Sequence, residues 1–191
     1  MADVVYLRSY DDRTRIHDEI ARALIDATVE LLRDVPYSSI TMRSISKRAG
    51  VSHGEARAYF RSKDAIVAEI YLERLRATPL AVDVEQSARA RIAAQFSQLV
   101  MLLADEPGIA AACSSALIRD EPSVRAIRQR IHAELQRRVR TVLRSGAWPE
   151  VVETLEFGLL GALVHAGCGA DTFRQTADDL ASVVAVVLPH G

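Results

Sequence analysis

The four residues Ser52-His53-Gly54-Glu55 carry the first chemistry legible in this chain. Their S-x-x-E spacing is that of a capping box, in which a serine hydroxyl accepts from the backbone N–H three residues on and the acid reaches back to the serine N–H. Facing a DNA major groove, the same carboxylate could accept from a cytosine N4 amine. Both readings stay open. The surroundings sharpen the question. Residues 41–63 hold six Arg or Lys and the single acid Glu55, a local formal charge of +5, whereas residues 11–34 hold four Arg against seven acids, or −3. The chain's two lysines, Lys47 and Lys63, both fall in the basic stretch. Charge sorted in this way, on a chain of formal net charge −1, implies a local anion-facing surface and excludes a general basic coat.

Other chemistry is thin. His165 and Cys168 lie three apart, but a structural zinc needs four ligands and His132 stands alone, so the histidine reads as a core residue. Cys113 and Cys168 are too few for a disulfide framework, and no basic neighbour in sequence activates either thiol. No nucleophile–base pair, phosphate loop or metal motif is present, so the chain reads as no enzyme and calls for no cofactor. No apolar run reaches the 18 residues of a membrane span, and the N-terminus lacks a signal core, which implies a cytoplasmic setting.

The elements that must position these residues are helical. The chain has 191 residues, 49% hydrophobic but 5% aromatic, and is rich in Ala and Arg. That balance favours an all-α fold. After a loose arm of nine residues, Ile16, Ile20, Ala23, Ala27 and Leu31 repeat at helical spacing over about 12–34, and Pro36 closes the run. Thr41 caps a helix over 42–49 that stops at Gly50, Ser52 caps one over 53–59, and Ser62 caps one over 63–78. Further helices are expected at about 84–104, 107–118, 122–145, 149–168 and 172–187, making about nine. In the arginine-rich 122–145 segment, Val124, Ile127, Ile131, Leu135, Val139 and Val142 form the buried stripe, and Arg128, Arg138 and Arg140 read as a solvated face.

Ile45, Ala49, Val51, Ala56 and Phe60 can lock the 42–49 and 53–59 helices across a tight turn, a helix-turn-helix. The stretch TMRSISKRAGVSHGEARAYFRSKDAI resembles the DNA-binding domain of the TetR family of bacterial repressors. The family pattern runs roughly T-x-R-x-I-A-x-x-A-G-V-S-x-G-T-x-Y-x-x-F-x-S-K-x-x-L. Thr41, Arg43, Ile45, Ala49, Gly50, Val51, Ser52, Gly54, Phe60, Ser62 and Lys63 fit it. Glu55 stands where the family usually has Thr, Arg57 where it has Tyr, and Pro36 where it has Gly. The motif covers about residues 12–75; beyond them only length and helix count agree.

The resemblance implies a DNA-binding domain over 1–60 and a dimerisation and ligand-binding bundle over 61–191, with helix 63–78 as connector. It implies a homodimer on a palindromic double-stranded operator, released by a hydrophobic or amphipathic small molecule. The expected DNA-facing residues are Thr41, Arg43, Ser52, His53, Gly54, Glu55, Arg57, Tyr59 and Lys63. Arg57 suits either a guanine edge or a phosphate. Thr41, Ser52, Tyr59 and Lys63 suit phosphates, and Gly54 permits close approach to the groove. The expected pocket is lined by Phe96, Leu99, Val100, Leu103, Cys113, Leu117, Leu135, Phe157 and His165. The expected dimer interface uses the small residues Gly158, Gly161 and Ala162 and the stripe Leu180, Val183, Val184 and Val187. The rival expectations are a ligand-binding helical protein with weak or lost DNA binding, and an enzyme on an all-α scaffold.

Overall fold

The computed structural model describes residues 3–80, 82–144 and 147–189, with side chains described from residue 18 onward. Nine α-helices and one short 3-10 helix make up the described residues: α1 (Asp3–Asp34), the 3-10 turn (Tyr37–Ser39), α2 (Met42–Ala49), α3 (His53–Tyr59), α4 (Lys63–Ala77), α5 (Ala88–Met101), α6 (Pro107–Leu117), α7 (Pro122–Leu143), α8 (Pro149–Gly167) and α9 (Phe173–Val187).

The starts and stops follow from local chemistry. Pro occupies the first turn of α6, α7 and α8, where its missing N–H costs no helical bond. Thr41, Ser62, Ser87 and Thr172 each accept from the backbone N–H three residues on. Gly50 ends α2 at φ 70°, a left-handed conformation that a β-carbon disfavours.

Three expectations need correction. Helix α1 begins at Asp3, not near residue 12 after a loose arm. Its buried stripe is Leu24, Ala27, Thr28 and Leu32, while Ile20, Ala23 and Leu31 are half-buried beside it; Ile16 lies outside the described side chains. Helix α5 spans only Ala88–Met101, because turns close on both sides of it, with the Glu85 N–H donating to the Asp83 carboxylate and the Ala104 N–H to the Met101 carbonyl. Helix α7 ends at Leu143, and the end expected for it at 145 lies outside the described residues.

One hydrophobic cluster runs from Leu24, Ile45 and Ala56 through α4 to Leu180 and Val184. Helix α4 is its centre, burying Ile66, Val67, Ile70, Leu72 and Leu75. Helix α6 crosses α1 so closely that a β-carbon on Gly108 would sit 2.3 Å from the Leu32 carbonyl oxygen. A side chain there would force the two helices apart.

Helix α7 grips α4 by charge as well as packing. Arg138, 2% exposed, donates to the Leu75 and Thr78 carbonyls at 2.6 and 2.7 Å and to Glu134 at 2.7 Å. It therefore caps the C-terminus of α4, whose last carbonyls lack helical partners, and does not lie on a solvated face. Arg130 binds Glu69 of α4 through two hydrogen bonds of 2.8 and 2.9 Å.

Candidate nucleic-acid interface and internal cavity

Helices α2 and α3 meet through Ile45 and Ala56, both fully buried, with Ala49, Val51 and Phe60 half-buried around them. That inner face fixes which side chains point out. His53, Gly54, Glu55, Arg57 and Ala58 of α3 are exposed. So are Arg43 and Lys47 of α2 and Arg61 after α3. Among the described side chains, none of Arg43, Lys47, Arg57 and Arg61 lies within ion-pair distance of an acid. Arg48 differs: its guanidinium lies 3.2 Å from Glu30 and 4.0 Å from Asp34, binding α2 back to α1.

The capping box at Ser52 is formed in both directions. The Ser52 N–H donates to Glu55 Oε2 and the Glu55 N–H to Ser52 Oγ, each at 3.1 Å. Hydrogen bonding from Ser52, side chain first and backbone second, holds the Glu55 carboxyl below its ordinary pKa. One carboxylate oxygen is thus committed to the helix, on a side chain open to solvent.

Lys63, expected to meet a phosphate, reaches inward to the turn before α2. Its ammonium donates to the Tyr37 and Ile40 carbonyls, both at 2.8 Å, and lies 4.2 Å from the centre of the Tyr37 ring. Burial lowers its pKa, opposed by the charge of Asp64. The backbone folds the turn before α2 over this lysine, so two of its three donors are spent on that turn. Beside it the Tyr37 hydroxyl donates to Asp64, and Arg119 stands 3.8 Å from the second Asp64 oxygen. Burial, then the bond to Asp64, pushes the Tyr37 phenol far up. Tyr59 is half-buried against the core and helps line a shallow cleft with Arg61 and Arg130.

A cavity of about 290 Å³ opens between α4, α5, α6, α7 and α8. Of the residues expected at a pocket, Val100, Leu103, Cys113 and Leu117 lie in its wall; Tyr71, Ser114, Arg128 and His132 lie there too and were not among them. Arg128 sits four residues after the buried Val124 and three before the buried Ile131. That spacing at the edge of the apolar stripe was the available signal. Phe96, Leu99 and Leu135 are closed core residues, because α5 and α7 turn them into the packed interior. Phe157 and His165 are not in the wall. Phe157 is 72% exposed on the outer side of α8, and His165, also exposed, pairs with Asp171 at 3.1 Å, so it is no core histidine. Cys168 is exposed, and among the described residues no group of His, Cys, Asp and Glu could hold a metal.

The outer side of α8 and α9 is apolar. Phe157, Val183 and Val186 are exposed, Val186 at 79%, while Leu160 and Val164, also exposed, line the cavity. Gly161 has open space above it and Ala162 is half-buried. Leu180 and Val184, expected at an interface, are instead buried within the chain, and Gly158 faces Leu180 and Val183. The exposed stripe lies a few residues further round the helix.

Comparison with known proteins gives a consistent picture. The family model described as bacterial regulatory proteins, tetR family, matches residues 24–70. An uncharacterised HTH-type transcriptional regulator of Mycobacterium tuberculosis is 38% identical over 178 residues, covering 92% of this chain and 84% of the relative. A TetR transcriptional regulator from Rhodococcus sp. RHA1 shares the fold with a TM-score of 0.73 at 15% identity, over 88% of this chain and 97% of that one. BioQ, solved with its natural double-stranded DNA operator, superposes with a TM-score of 0.58 at 20% identity, over 87% and 98% of the two chains.

Proposed function

The chain belongs to the TetR family of bacterial transcriptional regulators, and from that premise we propose that it is a homodimeric, cytoplasmic repressor released from a palindromic operator by a hydrophobic small molecule. The carrying observation is the outward side of the helix-turn-helix: a seven-residue α3, closed at its start by a reciprocal capping box, that carries Arg57 and is flanked by Arg43, Lys47 and Arg61, none neutralised by a described acid. Such cations release counterions from phosphate and position the helix. Residues 1–60 serve as the DNA-binding unit and 61–191 as the bundle, with α4 between them.

In this reading α3 enters the major groove. Gly54, with open space above it, allows close approach, and His53 and Arg57 face the bases or the flanking phosphates. The exposed starts of α2 and α3 at Thr41 and Ser52 meet phosphates, with Tyr59 at the far end of α3. Arg43 reads a second base from α2. Glu55 keeps Oε2 on Ser52 and offers Oε1 to a cytosine amine.

A single short helix reads too few bases for an operator, so two copies bind half-sites about 34–36 Å apart. The exposed apolar side of α8 and α9, with Val183, Val187 and Gly161, is the surface for that pairing. The cavity wall includes Tyr71 of α4, and the first turn of α4 holds the turn before α2 through Lys63 and Asp64. A ligand that shifts α4 therefore alters the separation of the two DNA-binding units, by no more than its preference for one state.

A second reading, a ligand-binding protein that has lost DNA binding, draws on Glu55 and Arg57 standing where the family usually has Thr and Tyr. Selection from random duplex DNA separates the two: enrichment of a palindrome supports the repressor, and no enrichment with intact dye binding in the cavity supports the second reading.

A further inference from the structure

Arg128 lines the cavity as a cation fixed by backbone carbonyls. Its Nη1 donates to the Leu117 and Arg119 carbonyls at 2.8 and 2.9 Å, which pins the guanidinium at the end of α6. Other arginines of α7 pair with acids: Arg125 with Asp120, Arg130 with Glu69, and Arg137 and Arg138 share Glu134. Arg128 helps hold Asp120 ionised, but the hydrogen bond to Asp120 comes from Arg125. Among the described residues no carboxylate lies within ion-pair distance of Arg128, and its Nε and Nη2 have no protein acceptor. His132, also in the cavity wall, is bonded to the buried Glu156. The rest of the wall is mainly aliphatic and aromatic, including Leu103, Ile131, Leu163 and Phe173.

An apolar cavity takes an apolar body, and open guanidinium donors held by the backbone take a carboxylate in strong charge-assisted bonds. We propose that the effector is an amphipathic anion: an apolar chain or ring filling about 290 Å³, with a carboxylate head received by Arg128. This rests on the ligand-release reading and names the ligand class for that cavity. An amphipathic cation meets the charge of Arg128, with no described carboxylate in the cavity wall to receive it. A neutral lipophile leaves both donors unused.

The same residue carries the effect outward. The Arg119 carbonyl that Arg128 holds belongs to the residue whose guanidinium approaches Asp64, and Asp64 accepts from Tyr37 at the entry to α2. A head group that draws the guanidinium into the cavity competes with the Leu117 and Arg119 carbonyls. It thereby loosens the end of α6 where that end reaches α4 and the DNA-binding unit.

The test titrates the full-length protein with straight-chain carboxylates from hexanoate to dodecanoate, and with primary alcohols and alkylammonium ions of matched length, by calorimetry and thermal shift. At least one carboxylate binds about tenfold or more tightly than its alcohol and ammonium partners, the scale of a charged hydrogen bond. Arg128→Gln removes that preference, Arg128→Lys keeps part of it, and Arg140→Gln on the exposed side of α7 leaves it intact. Absence of binding by every carboxylate overturns the proposal, as does a folded Arg128→Gln variant that keeps the preference. Should that variant fail to fold, the wild-type head-group series decides alone. Head-group preference without any change in operator affinity overturns the release reading and leaves the ligand class standing. Release by alcohols or ammonium ions as effective as by carboxylates overturns the class and leaves release standing.

Discussion

Ser52 and Glu55 hold each other across the first turn of α3, each backbone N–H donating to the other's side chain at 3.1 Å. The acid in the basic stretch is therefore part of the fold of the recognition helix before any DNA arrives. Ser52→Ala lowers global stability by about 0.5–2 kcal/mol in urea unfolding. Glu55→Gln keeps the geometry of the box, since glutamine also serves at that position. Its effect depends on pH with a definite sign. Hydrogen bonds from Ser52 depress the folded pKa of Glu55 below its ordinary 4.5, so the unfolded chain takes up its proton first on acidification. The advantage of wild type over Glu55→Gln is present in full above the unfolded pKa and is lost as pH falls through the folded one. A difference that stays constant from pH 7 down to pH 3 contradicts the cap.

Arg138 is a structural cation open to test. Arg138→Met removes the donors that cap α4 and leaves the Leu75 and Thr78 carbonyls buried without them. The expected loss is about 3–5 kcal/mol, typical of breaking a buried charged pair. Hydrogen exchange should rise first in the last turn of α4. A loss under about 0.5 kcal/mol, the range of an ordinary surface change, shows that the arginine is dispensable there.

The two thiols should behave differently. Cys168 is exposed and Cys113 buried, and burial pushes the Cys113 thiol up from 9.0 to about 12. At pH 8 a maleimide titration should find one fast thiol, with Cys113 reacting only as the protein opens. Between about pH 9 and 12 the unfolded chain has lost this proton while the folded chain retains it, so stability falls as pH rises through that window. Cys113→Ser flattens the decline. Two equally fast thiols at pH 8 contradict the burial.

The pairing surface makes a separable prediction. Val186→Glu and Phe157→Glu place a charge on residues 79% and 72% exposed in the single chain. Each changes monomer stability by no more than about 0.5 kcal/mol yet shifts sedimentation from dimer to monomer. A dimer that survives both changes places the interface elsewhere.

What was legible in the sequence was what local chemistry decides. The caps at Thr41, Ser52 and Ser62, the left-handed Gly50 and the prolines opening α6, α7 and α8 act within a few residues, so the helix-turn-helix and most helix bounds could be read directly. Less legible was what depends on distant chain. Lys63 sits in the basic stretch, and only the return of the Tyr37–Ile40 backbone shows two of its donors to be taken. Arg138 follows Leu135 by three and precedes Val142 by four, a core spacing. Its charge nevertheless argues for a surface until the end of α4 appears as its partner. Phe157 and Leu180 both carry apolar side chains on packed helices. Which of them faces inward is set by how α8 and α9 rotate against each other, and sequence period alone does not fix that.

The central claim is sequence-specific DNA reading by α3. Its most direct measurement is selection of random duplex DNA by the full-length protein, followed by titration of the enriched sequence at several salt concentrations. The account predicts a palindrome with half-site centres one helical turn apart and a steep salt slope that drops by about 1 when Lys47 is replaced by Ala. Arg57→Ala relaxes the preference at one base position at a cost of about 1–3 kcal/mol. Recovery of no common sequence, with weak binding of any duplex at physiological salt, contradicts it.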